Sequence, residues 1–239
     1  MKLVHTTLAL LATGTSLFAD ELQDQLDARK SNFEKKASEE KITEYNKGIK
    51  AVQDSGLMEK ALKKGDTAPD FTLKNAVGKE VTLSNLLKDG PVVMTWYRGS
   101  WCPYCNIALQ SYQKNLPKFA EAGAQFIALT PELPDNSLPT KKKFSLEFEV
   151  LTDLNNQVAE KFNIVFKMTP WVKDAMESFA GLNKYNGEEY DSATLPLSAT
   201  YIITPDRKIA YAFLDAEYRN RATPEMILKE LAKLKKAGE

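Results

Sequence analysis

The two cysteines of the chain, Cys102 and Cys105, have only Pro103 and Tyr104 between them, inside the stretch "MTWYRGSWCPYCNIALQSYQ". Two thiols at that spacing can clip a metal, staple the chain or trade electrons. A closed zinc site needs four ligands, usually Cys and His. The chain offers these two cysteines and one histidine, His5, so a closed site would need carboxylates or a second chain. A structural staple fits poorly as well. In the chain-entropy description stabilisation grows with the loop that is closed, and two intervening residues close a very small ring. Strained disulfides are the reducible, working ones. A redox pair fits best, and no metal or cofactor is called for.

The surroundings favour that chemistry. "PVVMTWY" is a continuous apolar run with β-branched residues, the pattern of a strand buried on both faces. Cys102 follows it at a helix cap position, and Pro103 occupies the first helical turn, where proline costs no hydrogen bond. Unpaired N–H groups and the positive end of the helix dipole stabilise a thiolate there. Thiols so placed have pKa values of about 3.5–7.5. Arg98 adds positive charge if it turns inward. On this reading Cys102 is the more exposed and more acidic thiol, and Cys105 is more buried. Cys102 then attacks in thiol–disulfide exchange, and Cys105 resolves. Trp101, beside Cys102, is the substrate-facing aromatic, whereas Trp96 belongs to the core.

Several elements must hold this pair. Residues 20–62 form an N-terminal amphipathic helical extension. Leu22, Leu26, Phe33, Ile42, Tyr45, Ile49 and Val52 recur at near-helical spacing and read as one long helix or two. Their stripe packs on the domain that follows; a dimerising coiled coil, giving a homodimer, is the alternative. Residues 63–239 form the main domain. Phe71–Leu73 and Glu80–Leu83 read as a hairpin, and Ser84 caps a short helix ending near Lys88. After the central strand come a helix from Pro103 to Ala122, a strand at Gln125–Thr130, a helix at Leu138–Glu149, a strand at Val150–Thr152 and a helix at Asn155–Phe162. Residues 163–194 show no clear period and read as an insertion of loop and short helix. Strands at Thr200–Thr204 and Lys208–Phe213 are joined by a turn. Thr223-Pro224-Glu225 then starts a last helix, with cap, proline and acid in order. Alternating strands and helices around a mixed sheet, with Cys-x-x-Cys after the first buried strand, make an α/β, thioredoxin-like sandwich.

Composition narrows the function classes. The 32 basic and 32 acidic residues cancel, so nothing calls for nucleic acid or an anionic membrane as partner. Residues 1–19 read as a signal peptide: Lys2, a short apolar run from Thr6 to Phe18, and Ala19 before the cut. That run is too short to span a bilayer. Cleavage would leave a periplasmic or extracellular protein without membrane attachment or histidine, in a compartment where a disulfide persists.

Three strings carry a resemblance: "GDTAPDFTL", "GPVVMTWYRGSWCPYCNIALQ" and "LPLSATYIITPDRKIAYAFLDAEYRNRATPEMILKEL". They resemble the peroxiredoxin-like branch of the alkyl hydroperoxide reductase/thiol-specific antioxidant (AhpC/TSA) family, from Gly65 to the C-terminus. Alignment on Tyr97 puts Cys105 in the family's peroxidatic place, Cys102 in that of its threonine and Arg98 in that of its proline. Ser198 stands where the family carries a peroxide-activating arginine. Tyr218, Arg219 and Arg221 resemble the family's "YRxRA" string. The resemblance implies reduction of hydroperoxides through a cysteine sulfenate and a Cys102–Cys105 disulfide, recycled by a thioredoxin-like or other dithiol. The residues themselves leave two alternatives: an exported oxidoreductase acting on protein disulfides through Cys102, and a redox-sensing binding module.

Overall fold

The computed structural model describes residues 21–238, so the leader reading and His5 lie outside the described residues. Two helices come first, α1 (Glu21–Glu34) and α2 (Glu39–Gln53). Ser38 caps α2, its Oγ accepting the Lys41 N–H at 3.2 Å. Their apolar stripe is spent inside the chain: Leu22, Leu26, Ile49 and Val52 are all buried.

A one-turn helix, α3 (Leu57–Lys60), leads to the hairpin of β1 (Thr72–Asn75) and β2 (Glu80–Thr82). The short helix α4 (Leu83–Leu86) follows. Ser84 does not cap it; the Asp70 carboxylate accepts the Ser84 N–H at 3.0 Å from fourteen residues upstream. Then come β3 (Val92–Trp96), α5 (Pro103–Glu121), β4 (Gln125–Thr130), α6 (Pro134–Lys143), β5 (Glu149–Thr152) and α7 (Gln157–Lys161). The helix expected over Leu138–Glu149 is shifted. It starts at Pro134, where proline suits a first turn, and the chain leaves it through Ser145 in the left-handed region at φ 50°.

Residues 163–194 hold more order than their sequence pattern suggests. β6 (Val165–Lys167) pairs antiparallel with β7 (Thr194–Pro196), and α8 (Pro170–Phe179) and α9 (Leu182–Asn186) lie between them. The chain closes with β8 (Thr200–Ile203), β9 (Ile209–Phe213) and α10 (Pro224–Gly238). Thr223 Oγ1 accepts the Met226 N–H at 3.3 Å, as the cap reading requires.

The main sheet runs β2-β1-β5-β4-β3-β8-β9. β3, β4 and β5 are parallel to one another; the outer pairings are antiparallel. β3 is an interior strand between β4 and β8, and all five of its residues are buried. Its alternation sorts two cores. Val92, Met94 and Trp96 join one, with Phe162 and Tyr201. Val93 joins the other, with Leu22, Leu26, Leu109, Tyr112 and both cysteines. The cysteine pair therefore packs in one core with the sheet and α1.

Candidate active site

β3 ends at Trp96, and five residues carry the chain to Cys102. Gly99 sits at φ +150°, and a Cβ there would meet Trp101 Nε1 at 2.2 Å, so the turn needs glycine. The Cys102 N–H donates to the Gly99 carbonyl at 3.0 Å. Glu132, which lies just after β4 and was not singled out from sequence, pins the loop. Its Oε1 accepts the Ser100 N–H at 2.8 Å and the Ser100 hydroxyl at 2.6 Å. Burial pushes the Glu132 carboxyl above its ordinary range; the Ser100 bonds act against that push. Cys102 then takes an extended conformation as N-cap of α5, with Pro103 at the first position. Cys105 falls one turn inside.

Both sulfurs are fully buried, and each has a guanidinium on it. Arg98 Nη2 donates to Cys102 Sγ at 3.0 Å, and Arg221 Nη2 donates to Cys105 Sγ at 3.4 Å. Arg98 lies over the Tyr218 ring at 4.1 Å and the Trp101 ring at 5.3 Å. Arg221 is anchored by its other terminal nitrogen, which donates to the carbonyls of Tyr218 and Asn220. Among the described residues neither arginine forms an ion pair with a carboxylate. A buried cation needs an anion near it, and the sulfurs stand where that anion would be.

The charge settles on Cys105. Burial opposes its ionisation. The hydrogen bond from Cys102, the charges of Arg221 and Arg98 and the Arg98 N–H together outweigh that, holding its pKa well below an ordinary thiol's. Cys102 goes the other way: burial and its hydrogen bond to Cys105 keep it protonated, against the pull of Arg98. This corrects the reading of Cys102 as the exposed, acidic thiol. Helix position alone favours the cap residue. Here the Arg98 side chain covers Cys102, and the second cation and a backbone donor favour the thiol one turn further in. A void of about 10 Å³ touches Cys105 beside Thr95, Tyr112 and Arg221, near the smallest space that admits one water.

The other sequence-singled residues separate. Arg98 turns inward, onto Cys102. Trp101 is half-buried and lines a chamber at the helical extension. Ser198 is buried just before β8 with no partner for its Oγ, and no hydrogen bond ties it to either sulfur. Arg219 is held by Glu217, with its Nε at 2.6 Å and Nη2 at 2.5 Å from that carboxylate. Arg221 supplies the guanidinium at Cys105 that the resemblance would have placed at residue 198. Its sequence signal was the "YRNRA" string, in which two arginines looked equivalent.

The sequence model of the AhpC/TSA family matches residues 64–212. The chain belongs to the AhpC/TSA family. Among curated AhpC/TSA relatives, the chloroplastic peroxiredoxin Q of rice (Oryza sativa subsp. japonica) is 26% identical over 72% of this chain and 65% of its own length. The chain thus spans just under two thirds of that relative. Peroxiredoxin Bcp of Escherichia coli K12 is 25% identical over 66% of this chain and 90% of its own. Among solved structures, peroxidoxin BcpB of Mycobacterium tuberculosis superposes with a TM-score of 0.59 at 22% identity, covering 72% of this chain and 98% of that one. Peroxiredoxin Q of Xanthomonas campestris gives 0.54 at 15%, over 68% and 90%. These likenesses establish the thioredoxin-like fold expected from sequence.

Proposed function

We propose that this AhpC/TSA chain is a thiol peroxidase in which Cys105 attacks. The observation that carries the reading is the pair of buried arginines, each on one sulfur and neither paired with a carboxylate. The Cys105 thiolate attacks the distal oxygen of a hydroperoxide. The O–O bond breaks, an S–O bond forms to the oxygen that keeps the hydroperoxide's proton, giving the sulfenic acid, and the leaving alkoxide takes a proton from solvent to become an alcohol. Arg221 holds the charge as it passes from sulfur to oxygen. The Cys105 sulfenic acid then meets the Cys102 thiol held next to it. An S–S bond forms, and the sulfenic oxygen leaves as water. A dithiol of thioredoxin type exchanges with that disulfide and restores both thiols.

The relatives' names support peroxide chemistry, and the protonated, covered Cys102 disfavours direct attack by that sulfur on protein disulfides. Peroxide consumption by single variants tests the reading. Cys105→Ser should lose sulfenate formation altogether, and Cys102→Ser should form sulfenate but fail to close the disulfide. Sulfenate trapped on Cys102 instead would overturn the assignment. We also propose that the chain is exported and cut after Ala19, on the strength of Lys2 and the Thr6–Phe18 run. Terminal sequencing of the protein from its native cells, yielding Asp20 first, is the check.

A further inference from the structure

A chamber of about 220 Å³ opens where α1, α2 and α8 meet the loop that carries Trp101. Neither cysteine lines it, and it shares no lining residue with the void at Cys105. Its wall is apolar: Phe33, Tyr45 and Ile49 come from the first two helices, Val172 and Met176 from α8, and Trp101 from the loop. The helices are held close, since a Cβ on Gly48 would stand 2.8 Å from Val172 Cγ2. An apolar void of roughly 150 Å³ already takes up benzene, so this one has room for an alkyl chain. Phe179 lines it too and is 67% exposed, a large ring left facing water.

The charges around the chamber have one sign. Arg29, Lys41 and Arg98 line it, and no carboxylate does. Arg98 is engaged with Cys102. Arg29 and Lys41 are exposed, and neither has an ion pair among the described residues. An apolar interior with two unengaged cations describes a receptor for an amphiphile with an anionic head. We infer that the chamber binds a free medium-chain carboxylate, with its hydrocarbon chain among the rings and its head group on Arg29 and Lys41. The site belongs to the helical extension and α8, and binding there requires neither cysteine.

Calorimetry on the full chain carrying Cys102→Ser and Cys105→Ser tests this apart from any redox activity. The probes are decanoate, decanol and decyltrimethylammonium. Decanoate should bind saturably, decanol more weakly, and the cation weakest. Arg29→Gln with Lys41→Gln should weaken decanoate about tenfold at low salt and leave decanol unchanged. Phe179→Ser should weaken decanoate and decanol alike. All three positions are exposed, so the variants keep the fold. The inference is overturned if decanoate shows no binding tighter than about 1 mM, if the cation binds as well as the anion, or if neither variant changes affinity. It is equally overturned if Phe179→Ser turns a dimer into monomers while decanoate never binds, because the chamber mouth would then be an interface between copies.

Discussion

A thiolate sealed from water exists only because something repays its lost hydration, and at Cys105 that something is named: Arg221, Arg98 and the Cys102 thiol. Arg221→Lys keeps the charge but replaces a planar donor fixed by two carbonyls with a flexible ammonium. The rate of sulfenate formation should fall by about 100-fold, the scale for losing one oriented donor at a developing charge, and stopped-flow peroxide consumption reads it. A titration follows from the same charges. The folded-state pKa of Cys105 is depressed below the unfolded value of about 8.5. Between the two values the native state binds fewer protons, so stability rises with pH across that window. The contribution is complete above about pH 8.5 and is lost as pH falls through the folded-state pKa. Cys102, with its pKa raised, acts in the opposite sense and only above the unfolded value. Urea unfolding of the reduced protein should show the rise, and Cys105→Ser should flatten it; a slope unchanged in that variant would place the thiolate elsewhere.

At the scale of elements, the loop between β3 and α5 decides where the arginine and the first sulfur go. Gly99→Ala forces a left-handed φ on a residue with a Cβ and drives that carbon into Trp101, which supports Arg98. The expected cost is about 1–3 kcal/mol, with slower disulfide closure because Arg98 and Cys102 move together. Urea midpoints and the rate of closure after a peroxide pulse measure both, and unchanged closure would mean the loop tolerates the shift. This loop was legible in outline: β3, α5 and the cap at Cys102 follow from an apolar run and a proline at set spacings, whereas the need for glycine at residue 99 shows only in the structure. The thiol order was legible only through the family resemblance, which put Cys105 in the peroxidatic place; helix position pointed to Cys102, because the order depends on Arg221 from 116 residues away, and no local pattern carries a contact of that range. Residues 163–194 were opaque for another reason. β6 and β7 are three residues each, too short for alternation to register, and α8 hid its start in Thr169-Pro170, which reads equally as a turn. Glu132 was missed because an acid in "TPELPD" looks like a solvated loop until the Ser100 bonds are known.

Over the whole molecule, the helical extension shares one core with the two thiols. Leu22 and Leu26 of α1 are each 1% exposed and pack in one cluster with Cys102, Cys105, Tyr104 and Leu109. The ion pair from Lys114 to Glu21 at 2.6 Å also joins α1 to α5, but both partners are exposed and such pairs contribute little. Burial of the leucines therefore does the holding. Leu26→Ala removes a buried side chain and leaves a cavity, at a cost of about 2–5 kcal/mol. If α1 and the sheet unfold as one unit, the urea midpoint falls while the slope of the transition stays fixed. The same change should loosen the packing of α1 around the cysteines, since opening a local segment is easier when its buried contacts are fewer. Alkylation of Cys102 by iodoacetamide, followed by mass spectrometry, should then be faster in Leu26→Ala than in the parent under conditions where both stay folded. Equal alkylation with a lowered midpoint would mean that α1 stabilises the fold without guarding the thiols, and that Arg98 alone shields Cys102.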